Sequence, residues 1–150
     1  MKNLELKVPP LVVMLIFGIC IFLLSKVDPF RFGNFKGASI TLTILGAIIS
    51  ISSVIIFKNE QTTVDPMNPN KSNNLVVKGI YNYSRNPMYL SFYLWLLAFS
   101  IYCGSILAIL FGPIFILYLN VFQIKPEEKI LLDKFGESYL SYKKSVRRWI

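Results

Sequence analysis

Two short segments carry most of the residues that could do chemistry. One reads Lys78-Gly79-Ile80-Tyr81-Asn82-Tyr83-Ser84-Arg85-Asn86-Pro87-Met88-Tyr89, the other Asn120-Val121-Phe122-Gln123-Ile124-Lys125-Pro126-Glu127-Glu128. Together they supply a guanidinium, amides, several phenols and two adjacent carboxylates. Charged groups of this kind make the stronger hydrogen bonds to a polar ligand, and aromatic faces attract cations. The chemistry they suit is gripping and orienting a polar, charged molecule. Asn120, Gln123 and Glu127 are spaced 3 and 4 apart, so one helical face could present all three if Pro126 does not swing the helix away. Each piece also has an ordinary reading. Arg85 is a snorkelling anchor, Tyr81, Tyr83 and Tyr89 are interfacial belt residues, Asn86-Pro87 opens a helix, and Glu127-Glu128 favours a helix start. Their coincidence at two ends of one hairpin is what those readings do not explain. His is absent, which removes His-based triads and His-ligated metals. Cys20 and Cys103 sit in apolar blocks without metal-ligand spacing and read as lipid-facing or packed thiols.

The elements that must position these residues follow from hydropathy. The chain has 150 residues, 54 % hydrophobic and 16 % charged, against about 25 % charged for a soluble domain. Its mean hydropathy is +0.54. A soluble fold this small could not bury so much apolar surface. Soluble globule, disordered chain and nucleic-acid-binding domain are poor readings; the net charge of +8 lies in the gaps between apolar blocks. Charge-free runs cover 8–25, 37–57 and 86–124. The last, at about 1.5 Å per residue, would run roughly twice the thickness of a hydrocarbon core. It must fold back on itself, and Cys103-Gly104-Ser105 is its turn-tolerant middle. The expectation is an all-α polytopic membrane protein with four transmembrane helices, about 9–25, 38–57, 87–103 and 105–124, the last two a tight hairpin.

Pro9-Pro10 suits a first helical turn. No A-x-A-like cleavage site follows Leu24, so the first span is expected to be a retained anchor. Thirteen of the 16 Lys/Arg fall on the side of the two termini and the 58–85 loop, and 3 on the other. The positive-inside rule therefore places both termini and the two polar segments in the cytoplasm. All eight acids lie outside the spans, which argues against a proton-coupled transporter. Thr43, Gly46, Ser50 and Ser53 form a small-residue stripe, and Ala108, Gly112 and Asn120 a second; both read as packing seams. Residues 126–148 are predicted to form an amphipathic cytoplasmic helix. Its stripe is Leu131, Phe135, Tyr139, Tyr142, Val146 and Trp149, and its cationic face includes Lys143, Lys144, Arg147 and Arg148. Gly136 weakens it locally.

At the polar segments the sequence resembles the isoprenylcysteine carboxyl methyltransferase and phospholipid methyltransferase family of integral membrane enzymes. The matching residues are Gly79, Tyr81, Arg85, Asn86, Pro87 and Tyr89, then Glu127, Glu128, Leu131, Phe135, Gly136, Tyr139 and Tyr142. Upstream, Thr62-Thr63-Val64-Asp65-Pro66 resembles a stretch of bacterial members. The likeness covers roughly residues 60–150. It implies S-adenosylmethionine as methyl donor and a lipophilic acceptor in the membrane, with no metal. Arg85 and Glu128 are then candidate catalytic residues. Tyr81, Arg85, Asn86, Pro87, Tyr89, Asn120, Gln123, Glu127 and Glu128 are candidates for holding the donor. Aromatic rings would pack on adenine and attract the sulfonium, and the carboxylates would take ribose hydroxyls or the ammonium. The C-terminal helix is expected to roof the donor pocket and exclude water, with its basic face on anionic headgroups. Many members carry His where this chain has Asn86, so proton transfer by an imidazole does not carry over. Two alternatives stay open: a related fold with another cofactor, such as a lipid reductase, and a non-catalytic membrane interaction protein.

Overall fold

The structure is a computed structural model and describes residues 5–33, 35–60, 72 and 74–150. The Thr62-Thr63-Val64-Asp65-Pro66 stretch lies outside them. Five α-helices follow one another: α1 (Pro10–Val27), α2 (Lys36–Asn59), α3 (Pro87–Cys103), α4 (Ile106–Leu119) and α5 (Lys125–Ser145). A 3₁₀ turn, Gly79–Asn82, precedes α3, and a π-helical turn, Asn120–Ile124, joins α4 to α5. The described residues contain no strand, only a single bridge between Arg31 and Ser105. Three helical stretches are long and apolar enough to cross a membrane: α1, α2 and the continuous run Ile106–Ser145. Helix α3 is apolar but shorter, at 17 residues.

Local chemistry sets the boundaries. Pro10 and Pro87 each occupy a first turn, where the missing N–H costs no helical bond. Gly104 ends α3 in the left-handed region at φ 63°. A Cβ there would lie 2.7 Å from the Phe32 carbonyl oxygen, so only glycine fits. Ser105 then caps α4 by accepting from the Ala108 N–H. Asp28 reinforces that cap, accepting from the Ser105 hydroxyl and from the Leu107 N–H. The turn expected at Cys103-Gly104-Ser105 is thus clasped to the α1–α2 loop.

Side-chain size is inverted relative to a soluble bundle. Ile40, Ile44, Ile48, Ile51 and Ile55 of α2 face outward, while its buried residues are Ser39, Gly46 and Ser53. Small residues let α2 approach α3 closely. Trp95 of α3 lies over Gly46 and donates from Nε1 to the Thr43 carbonyl at 3.2 Å. Ser39 donates to the Ala98 carbonyl at 2.8 Å. The second stripe works likewise, since Gly112 takes the Tyr93 ring. Between α1 and α4, Phe17 meets Phe115 edge-on at 5.3 Å.

Helix α5 differs from the uniform helix expected over 126–148. Gly136 has φ 51° and ψ −125°, outside helical values, and splits it in two. Its apolar stripe does not lie free: Tyr139, Tyr142 and Val146 are buried in a cluster with Leu75, Leu131, Leu132 and Phe135. Trp149 joins the main core, which also draws in Val8 and Phe17.

Candidate functional site

The N-terminus of α3, the first turn of α5 and the second half of α5 converge on one cleft. The 3₁₀ turn delivers Tyr81, the extended link to Pro87 delivers Arg85 and Asn86, and the first turn of α3 delivers Tyr89. The first turn of α5 supplies Glu127 and Glu128, and its second half folds back with Tyr139 and Tyr142. All of these, with Phe57, Leu75 and Met88, line a cleft of about 800 Å³ counting its open mouth.

The two glutamates part ways. Glu128 is the centre of an ion cluster. Its Oε1 accepts from Arg85 Nη2 and Arg148 Nε, each at 2.9 Å, and its Oε2 accepts from Arg148 Nη2 at 2.8 Å. Lys143 Nζ stands 3.7 Å off. The Arg85 and Glu128 side chains are only 8 % and 9 % exposed, so solvent screens them little. Burial works to raise the Glu128 carboxyl, but the Arg148 hydrogen bond and the charges of Arg148, Arg85 and Lys143 outweigh it and hold it below the usual range. Glu127 has no cation within ion-pair distance among the described residues. Its Oε2 accepts from the Tyr89 hydroxyl at 2.9 Å. Burial chiefly, then the neighbouring Glu128 charge, push it up to about 7 against the pull of the Tyr89 bond. Burial also raises the phenols of Tyr81, Tyr139 and Tyr142, so they stay neutral.

Other candidates have definite places. Asn86 donates from Nδ2 to the Arg148 carbonyl at 3.0 Å. Arg85 Nη1 donates to the carbonyls of Lys143 and Val146, at 2.8 and 3.1 Å, and Nε is buried with no partner among the described residues. Gln123 and Asn120 stand behind the lining. Gln123 is buried and hydrogen-bonds the Tyr89 hydroxyl. Asn120 Oδ1 is buried with no hydrogen-bond partner among the described residues. The π turn at Asn120–Ile124 adds a residue to the helical register, and of Asn120, Gln123 and Glu127 only Glu127 lines the cleft. Sequence reasoning missed Arg148 as a site residue, placing it on a cationic outer face. Its partner lies 20 positions away across a glycine break, and no local signal marks the pairing. Tyr139 and Tyr142 were legible as a stripe, not as cleft walls.

Residues 35–138 match the phospholipid methyltransferase family. The chain is 27 % identical over 127 residues to the protein-S-isoprenylcysteine O-methyltransferase of Schizosaccharomyces pombe, covering 85 % of this chain and 54 % of that protein. It is 36 % identical over 75 residues to the protein of the same name from Saccharomyces cerevisiae, 48 % of this chain and 30 % of the other. An uncharacterized protein of Haemophilus influenzae is 52 % identical over 63 residues, its whole length and 42 % of this chain. The chain thus spans about half the length of the fission-yeast protein, and less of the budding-yeast one. No solved structure matches it.

Proposed function

The chain belongs to the phospholipid methyltransferase family, and from that premise we propose that it moves a methyl group from S-adenosylmethionine to a lipophilic acceptor held in the membrane. The acceptor class is the carboxylate of an isoprenylcysteine-like molecule or a lipid headgroup. The protein then crosses the membrane four times, with both termini and the cleft on the cytoplasmic side. The observation that carries this reading is Glu127: a carboxylate with no cation at ion-pair distance among the described residues, set in an aromatic cleft at the end of two apolar helices.

The residues present suit the donor. It brings an ammonium, a sulfonium, a carboxylate, a ribose diol and a purine. Glu127, with its carboxyl raised to about 7, can accept from the diol, and the ammonium of the donor would favour its ionised form. Phe57, Tyr81, Tyr139 and Tyr142 line the cleft and offer aromatic surface to a purine and to a cation. Because the three phenols stay neutral, they add no competing charge. The Arg85 Nε, buried and without a partner among the described residues, can donate to a carboxylate.

When bound, S-adenosylmethionine supplies a methyl group on a sulfonium, open to in-line displacement. The protein has to hold the reacting atoms in line and keep water out. Tyr139 and Tyr142, brought back by the break at Gly136, wall the cleft against water. Tyr89, fixed by Glu127 and Gln123, stiffens the side nearest the membrane helices. Asn86 is committed to the Arg148 carbonyl and cannot take a proton. An acceptor that is already an anion needs no base, which favours a carboxylate. Detergent-purified protein titrated with labelled S-adenosylmethionine should bind it saturably and transfer label to a lipid-extractable product. Folded protein that shows no saturable binding overturns the reading.

A further inference from the structure

Arg148 lies outside both polar segments and belongs to the chain's last three residues, yet it reaches the centre of the ion cluster. Its Nε and Nη2 take the two oxygens of Glu128 at 2.9 and 2.8 Å, a two-pronged grip. The same carboxylate takes Arg85 from the other side. One glutamate at the start of α5 therefore ties the lead-in to α3 to the chain's end. The backbone joins in beside it. The Arg85 N–H donates to the Arg147 carbonyl and the Asn86 amide to the Arg148 carbonyl, both at 3.0 Å. One residue further on, Trp149 is packed against the main core. Residues 146–149 thus form a strap over 84–86, anchored on one side by an indole and on the other by the α5 helix.

The strap does not line the cleft; it holds residues that do. Arg85, Asn86 and Glu128 are cleft walls, and each is bonded to it. The Arg148 side chain is 29 % exposed while Arg85 is 8 % exposed, so Arg148 is the outer, more accessible member. We propose that Arg148 is a positioning residue: its grip on Glu128 closes the C-terminal strap across residues 84–86 and sets the wall against which the methyl donor binds. This rests on the methyltransferase reading and adds to it the group that keeps the donor site shaped.

The test uses full-length protein in detergent, S-adenosylmethionine as probe, and the emission of Trp149 in a Trp95→Phe background. Arg148→Ala should weaken donor binding by about 10- to 150-fold, the loss expected for charge-assisted bonds, and shift Trp149 emission to the red. Arg148→Lys keeps the charge without the fork and should fall between. Ser105→Ala, at the opposite end of the bundle, controls for general destabilisation; it should lower Tm without changing donor Kd. Should Arg148→Ala fail to fold, Arg148→Lys and Arg148→Gln carry the comparison. Donor affinity and Trp149 emission unchanged in folded Arg148 variants overturn the proposal and leave the methyltransferase reading standing. A loss of affinity that merely tracks Tm, and that Ser105→Ala reproduces, also overturns it. Wild-type protein that binds no donor overturns both.

Discussion

The Tyr89 hydroxyl of α3 donates to Oε2 of Glu127 on α5 at 2.9 Å. That contact separates two glutamates that are neighbours in sequence. Both line the cleft, but Glu127 is bonded to a phenol, while Glu128 is paired with two guanidiniums. A helix rotates successive side chains by about 100°, so adjacent residues meet different surroundings. The pair is therefore expected to divide its work, Glu127 meeting the donor and Glu128 holding the arginines in place.

The division gives two different phenotypes. Glu127→Gln should fold and lose donor affinity by about 10- to 150-fold. Glu128→Gln should lower stability by about 3 kcal/mol, because it strands Arg85 and Arg148. Donor titrations alongside thermal melts separate the two. Identical behaviour of both variants would refute the division.

Stability should depend on pH through Glu127. Its carboxyl rises in the fold from 4.5 to about 7, so the folded state holds the proton more tightly. Stability then falls as pH climbs between those values and levels off above the upper one. Glu128 has the opposite sign: its depressed carboxyl stabilises above its ordinary range and that contribution is lost only as pH falls below it. Melts between about pH 5 and 8 isolate Glu127. Glu127→Gln should flatten the profile and exceed wild type in Tm at the alkaline end. A profile as steep as wild type in that variant removes Glu127 as the cause.

Gly46 should tolerate no side chain. A Cβ there would lie 2.6 Å from Trp95 Nε1 and 3.3 Å from the Ser91 carbonyl oxygen. Gly46→Ala should destabilise by about 1–3 kcal/mol through overpacking, with Trp95→Phe relieving part of it. Gly37 has open space around its Cβ position, so Gly37→Ala is the control. Equal melting temperatures for both single variants would contradict the α2–α3 seam.

Topology is testable by reporter fusions. Fusions at residue 150 and within residues 26–36 should report opposite sides of the membrane, the first cytoplasmic. The same side for both would end the four-span arrangement.

Hydropathy and charge belong to single residues and add along the chain, so the sequence alone determined where the apolar helices lie. It also determined the break at Gly104-Ser105, because a left-handed φ and a serine cap are local requirements. The convergence of Arg85, Tyr89, Glu127 and Glu128 was legible for a related reason: a tight hairpin returns its ends to one surface whatever its packing. Only the tertiary structure decided which glutamate the arginines grip and which one a phenol holds. That depends on helix rotation, which the π turn at Asn120–Ile124 resets by inserting a residue into the register. It also decided the fate of the C-terminal segment. The stripe from Leu131 to Trp149 has the period of a surface helix, but the break at Gly136 redirects the chain across the cleft. Arg148 thereby leaves the cationic face and meets Glu128. Contacts of that kind depend on distant residues arriving together, and no local pattern encodes them.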